Sequence, residues 1–352
     1  MSASKPPLVG TDWWVAENST DQPGAFVTKL LLRVAELRAD VNDTLPSSPR
    51  TPEHFQRILS LMRRAQIMEQ EFKEWEDSLP ELWRVKTAAW VDNVPGGDLM
   101  KAEVYPGRVD MYDDLFIANT WNHARVSRLF ISGLIVRCAA WVCHPVDYRT
   151  TPEYATCARL GVDMVVDILA SIPYHLGWRL DQHGALQAGD LSGFDSGTDD
   201  FTSPKALGGF FVIWPLFCCS SSDYTTDAQR TWIRGRMNLI ADVMGLNQAK
   251  VIAAVSSNHL TYVAGTDCSH SSKSAFHLWS SVVISWVTRH QLDNNSLNGR
   301  LSVQNLKTLH HTYPLLPPLV PPALLPPRCP APPWRLDLLP HLSRPPSPLT
   351  IP

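Results

Sequence analysis

The chain has 352 residues, 44% of them apolar and 18% charged, and a net charge of -3 at pH 7. That length accommodates two average domains or one large domain with tails, and the apolar share suffices for a core. The slight acidity and the lack of any Lys/Arg run exclude a surface built to grip nucleic-acid phosphates, and the start MSASKPPLVGTDWW carries no secretion-type apolar segment.

In chain order, an arm over 1–24 precedes a short helix over about 25–38, carried by Phe26, Leu30, Leu31, Val34 and Leu37. Thr51-Pro52-Glu53 then opens an amphipathic helix over about 52–77. A hydroxyl stands at its N-cap and proline at its first position, where no N–H is needed. Phe55, Ile58, Leu59, Met62, Phe72, Trp75 and Leu79 fall at helical spacing, and Glu69 and Lys73 are placed for an i,i+4 pair. A turn-rich strip over 95–107 leads into a long helix over about 110–142. Thr151-Pro152-Glu153 starts another, over about 152–171, and Ser203-Pro204 repeats the device for one over about 204–220.

Between these, 177–203 is rich in Gly, Asp and Ser and reads as a loop. A last helix over about 227–244 carries Trp232, Ile233, Leu239, Ile240 and Val243, with Gly245 as its stop. No strong period-2 segment occurs, so the expected fold is all-α, an irregular multi-helix bundle over 25–255. Residues 256–313 are polar and weakly patterned. From Pro314 on, fifteen of 39 residues are proline, which predicts a disordered tail. The most apolar windows, Leu129–Val136 and Phe210–Cys219, are too short or too interrupted, by Arg137 in the first, to span a bilayer.

DILASIPYHLGW (167–178) raises the question of whether His175 is a working residue. Pro173 should end the helix and Gly177 turn the chain, which leaves His175 in the last turn as a packing residue whose imidazolium meets the negative end of the helix dipole. Other chemistry is thin. Asp195-Ser196-Gly197-Thr198 matches the turn of aspartic proteases but occurs once, in a helical setting. Asp110, Asp113 and Asp114 are similar to the aspartate-rich magnesium motif of helical terpene cyclases, but Ile117 stands where the motif needs an aspartate. Gly189–Gly193 places its serine wrongly for a nucleophile elbow. The seven cysteines form no C-x-x-C pair, and P-x-x-P (Pro318 to Pro321) lacks the basic flank of an SH3 ligand. No catalytic, cofactor-binding or metal-ligating residue is assigned. Tryptophans on apolar faces and WNHARVSRL on one helix define a candidate effector or structural pocket of Trp121, Arg125, Arg128, His175, Trp178 and Trp214.

The order of motifs carries more than any one of them. AEVYPGRVDMY (102–112), WNHARVSR (121–128), RCAAWV (137–142), DYRTTPEYAT (147–156) and ASIPYHLGW (170–178) follow in sequence. KALGGFFVIWPL (205–216), SDYTTDAQRTWIRGRM (222–237) and IADVMGLNQA (240–249) complete the series. It resembles the C-terminal regulatory region of fungal zinc-binuclear-cluster transcription factors, over roughly residues 10–255. The resemblance implies an all-helical domain, a nuclear site of action with the cytoplasm as the alternative, and control of RNA polymerase II genes of metabolism or secondary metabolism. Its implied partners are a small-molecule effector, a transcriptional co-regulator or a second copy of the chain, with no membrane. In that family two zinc ions sit in an N-terminal six-cysteine cluster. Here no cysteine precedes Cys138 and no basic arm is present, so neither zinc nor direct DNA reading is expected of these residues. The 256–352 segment also departs from the family and reads as a lineage-specific or mis-spliced extension. The alternatives are a metal-dependent enzyme of terpene-cyclase type using Asp110, Asp113 and Asp114, and a truncated remnant.

Overall fold

Helix α1, Pro23–Thr44, buries Val27, Leu30, Val34, Leu37 and Val41, and α2, Pro52–Ser78, buries Ile58, Leu61, Ala65, Met68, Phe72 and Trp75. Both stripes advance by alternating steps of three and four, so each helix presents an apolar seam, and α1 also buries Leu32 and Ala39 beside its own. The seams face each other in an antiparallel pair, flanked by ion pairs from Arg33 to Glu71 and from Arg64 to Asp40. Those partly exposed pairs contribute little, and the buried stripe holds the hairpin. Residues Val41 and Thr44 extend the buried face well past residue 38, which is why α1 outruns its expected end. The computed structural model describes residues 23–47, 49–181, 183, 186–187 and 204–250. Most of the arm, Ser203, the Gly189–Gly193 and Asp195–Thr198 turns, Pro318–Pro321 and the two C-terminal segments lie outside them.

The body is helical, with two small strand pairs that the sequence reading did not anticipate. Strand β1, Lys86–Val91, pairs antiparallel with β2, Gly107–Met111, with a register irregularity between Thr87 and Ala89. Trp90 is exposed and Asp110 buried, so the apolar/polar alternation that marks a strand is absent from both. The long helix therefore does not begin at 110. Asp114 is the N-cap, its carboxylate accepting from the Ile117 N–H at 2.7 Å, and α3 runs Leu115–Cys143. A carboxylate there satisfies an orphan donor and faces the positive end of the helix dipole.

Helix α3 is the axis of the molecule. By length and mean hydropathy, 1.6 over its most apolar window, it is long and apolar enough to cross a membrane, which corrects the view that Arg137 leaves the window too short. In this fold it is instead a core helix, with α1, α2 and the β1–β2 hairpin on one side and the later helices on the other.

Helix α4, Pro152–His175, starts as expected, with Thr151 accepting from Tyr154 N–H, but runs four residues beyond 171 and through Pro173. The stop is Gly177, at φ 96. Trp178 N–H bonds back to Pro173 C=O and Gly177 N–H to Tyr174 C=O, the paired closure that needs a left-handed residue. Proline in a last turn sacrifices one hydrogen bond; the glycine ends the helix. Beyond it lie the short β3, Arg179–Leu180, and β4, Leu186–Gln187, which pair antiparallel.

Helix α5, Pro204–Ser220, is buried over nearly its whole second half. It crosses the end of α4 so closely that a Cβ on Gly208 would sit 2.0 Å from the His175 carbonyl oxygen. Helix α6, Asp227–Asp242, opens with a reciprocal cap between Thr226 and Gln229 and buries Trp232 completely. All described residues belong to a single compact unit.

Candidate functional site

Polar side chains converge where β2, α3 and α4 meet. Arg108 contacts the fully buried Asp110 at 2.8 Å and Asp167 at 2.6 Å, and Thr87 donates to Asp110 at 3.1 Å. From α3, the buried Arg125 reaches Asp167 at 3.9 Å and donates to the Tyr112 hydroxyl at 2.7 Å and to Asn122 Oδ1 at 3.1 Å. Asn122 in turn holds Ser171 at 2.9 Å and His175 Nε2 at 3.1 Å. Two guanidiniums and two carboxylates balance, so this cluster carries no net charge. Burying ions is costly unless each is paired and hydrogen-bonded, and here the pairing ties three elements at fixed positions.

This arrangement constrains its members chemically. Burial, reinforced by the Arg125 charge, pushes the His175 pKa down to about 3. Burial likewise pushes His123 down to about 4 and Tyr112 up to about 12. His175 is therefore a neutral packing residue held by Asn122, and the imidazolium facing a helix dipole is corrected: with 1% exposure the ring cannot keep a charge solvated. Unfolded, both histidines protonate near pH 6.5. Below that pH the unfolded chain binds protons that the fold refuses, so stability falls as pH drops from about 6.5 toward 4, by about 1.4 kcal/mol per unit for each histidine. Urea titrations between pH 5 and 6 should show a slope shallower by about that amount in His175→Gln than in the wild type. Equal slopes would mean that the imidazole titrates normally in the fold.

The six candidate pocket residues separate into four places. Trp121, Arg125 and His175 surround or adjoin the polar cluster, with Arg125 5.1 Å over the Trp121 ring and Trp121 Nε1–H donating to Trp83 C=O. Arg128 instead binds Glu69 at 2.7 Å and Glu76 at 2.9 Å on α2. That takes Glu69 away from the expected Lys73 pairing, because α3 lies over that face of α2. Trp178 is half-buried against the apolar core formed with α1, α2 and the β1–β2 hairpin, and Trp214 is buried in the core formed with the later helices. The acidic trio also disperses. Asp110 is in the buried cluster, Asp113 binds Lys86 at 2.8 Å, and Asp114 caps α3. Among the described residues no group of three His, Cys, Asp or Glu side chains comes together to hold a metal ion.

Burial pushes the thiols of Cys138 and Cys157 up to about 11 and about 12 and also raises those of Cys218 and Cys219, so none of these four is a ready nucleophile.

A pocket of about 50 Å³ opens between α1, α3, α5 and the 221–224 turn, and of the six candidates only Trp214 lines it. Arg38, Gly133, Arg137 and Ser221 also line it and escaped the sequence reading. A glycine inside an apolar helix was the one available signal.

Over 212 residues, 60% of its length, the chain is 26% identical to transcription factor dbaG of Emericella nidulans. It is similar to a fungal transcription factor. The chain spans about half of that protein, 47% of its length. No family model matches the chain, and no solved structure matches it.

Proposed function

We propose that residues 25–255 are the regulatory domain of a fungal transcription regulator, acting in the nucleus on RNA polymerase II genes of metabolism or secondary metabolism. The similarity to dbaG carries this reading. A helical body in which Arg108, Asp110, Arg125 and Asp167 are paired with one another, and not assembled around a reacting atom, accords with regulation rather than turnover. With a net charge of -3 and no cationic run, these helices supply no phosphate-binding surface, so DNA reading in this proposal belongs to a separate module. A small-molecule effector, a co-regulator or a second copy of the chain binds instead, the first in the pocket beside Trp214.

The test is a fusion of the full chain to a DNA-binding domain of known operator, assayed on a reporter in a fungal host. Output should change relative to the DNA-binding domain alone. Unchanged output from a fusion shown to be folded and nuclear would overturn the reading.

A further inference from the structure

The pocket beside Trp214 contains a glycine that neither the backbone nor the packing requires. Gly133 lies in mid-α3, where glycine weakens a helix relative to alanine. Four buried helical glycines have a reason: a Cβ would meet Tyr224 at Gly161, the His175 carbonyl at Gly208, the Met244 sulfur at Gly209 and the Met100 carbonyl at Gly235, all within 2.4 Å. At Gly133 a Cβ would meet nothing within 4 Å. Alone among the described glycines it shows neither a positive φ nor a close neighbour. The room it leaves is part of the pocket wall.

The Ser221 hydroxyl is a second, independent sign. It lines the same pocket, the residue is 9% exposed, and its Oγ has no hydrogen-bond partner. A buried hydroxyl left unpaired is unfavourable unless something else completes it. The remaining lining defines what that is. Phe130 and Trp214, 6.4 Å apart at their ring centroids, and Phe217, 5.4 Å from Trp214, provide aromatic faces. Arg38 and Arg137 bring two guanidiniums, the first 5.1 Å over Phe130 and the second also donating to Asn42 at 2.7 Å. Among the described lining residues these two guanidiniums stand beside one carboxylate, Asp223.

We propose that this pocket binds a single-ring aromatic carboxylate. Its ring lies against the aromatic walls above Gly133, its carboxylate faces the guanidiniums, and the Ser221 hydroxyl donates to it. The small volume fits one ring partly inserted from solvent and excludes larger polycyclic acids. The inference rests on the effector reading above, since it names the effector's chemical class, but its test does not depend on transcription.

Salicylate, benzoate and the uncharged benzyl alcohol are titrated into the full chain and followed by saturation-transfer NMR and Trp fluorescence. The acids should bind saturably with millimolar affinity, at least about tenfold tighter than benzyl alcohol. Gly133→Ala should melt at the same temperature or higher while binding the acids several-fold more weakly, since its methyl group occupies the cavity. Ser221→Ala should weaken binding by about fivefold. No saturation by either acid up to about 10 mM, equal binding of the alcohol, or full affinity in Gly133→Ala would each overturn the pocket assignment. The reporter fusion, run with and without salicylate, reads the other question. Binding without a change in output upholds the ligand site and counts only against effector control.

Discussion

Arg125→Ala should lower the free energy of unfolding by about 3 kcal/mol in urea titrations at pH 7.5. The side chain is 2% exposed, and its removal deletes the bond to Tyr112, the bond to Asn122 and the stacking over Trp121 in one step. It also leaves Asp167 with Arg108 alone. The loss is set toward the low end of the range for broken buried pairs because Asp167 is partly solvated and keeps that second partner. Arg125→Met should recover part of it by restoring the stem's packing. In a cycle with Asp167→Asn the two losses should fall short of additive, because the residues share one network. If Arg125→Ala left stability unchanged, the cluster would not be the brace described here, and the guanidinium would be available to grip a ligand as the sequence first suggested.

Trp232→Ala should cost about 4 kcal/mol. The ring is fully buried, its Nε1–H donates to Ala102 C=O at 2.9 Å, and Tyr105 meets it edge-on at 5.8 Å. Helix α6 and the loop leading to β2 are joined at this point, and the same helix approaches so closely that a Cβ on Gly235 would lie 1.9 Å from the Met100 carbonyl oxygen. Trp232→Phe keeps most of the apolar contact but leaves the Ala102 carbonyl without its donor. A loss of about 1–2 kcal/mol is expected for it, measured from thermal and urea midpoints. Equal, small losses in both variants would mean that the α6–loop contact is not part of the cooperative core.

The signals legible in the sequence were those written within a turn or two of helix. The Thr51-Pro52 and Thr151-Pro152 starts are where the hydroxyls cap, and the seam of α2 keeps the expected Ile58, Phe72 and Trp75 but leaves Phe55 exposed. The hairpin was not legible because its partners are separated by a fifteen-residue connection and its side chains do not alternate. A buried aspartate in β2 and an exposed tryptophan in β1 reverse the usual pattern, and only the Arg108 and Thr87 contacts make that arrangement stable. The pocket was legible only in fragments. Trp214 was noted for its apolar helix, whereas Arg38 and Ser221, 183 positions apart in the chain, have no local pattern that pairs them.

By itself, then, the sequence determined that this chain buries oily helical seams and which hydroxyls begin them. It also determined that the series of motifs resembles a fungal regulatory region. The seams and their starts are properties of neighbours three or four residues apart, where the 3.6-residue turn fixes which side chains share a face. Only the tertiary structure decided that Glu69 meets Arg128 and not Lys73, that Asp110, Asp113 and Asp114 face three different partners, and that His175 stays neutral. A charged group takes its partner from whichever helix crosses it, and its protonation from how much water that crossing removes; neither is set by the residues beside it in the chain.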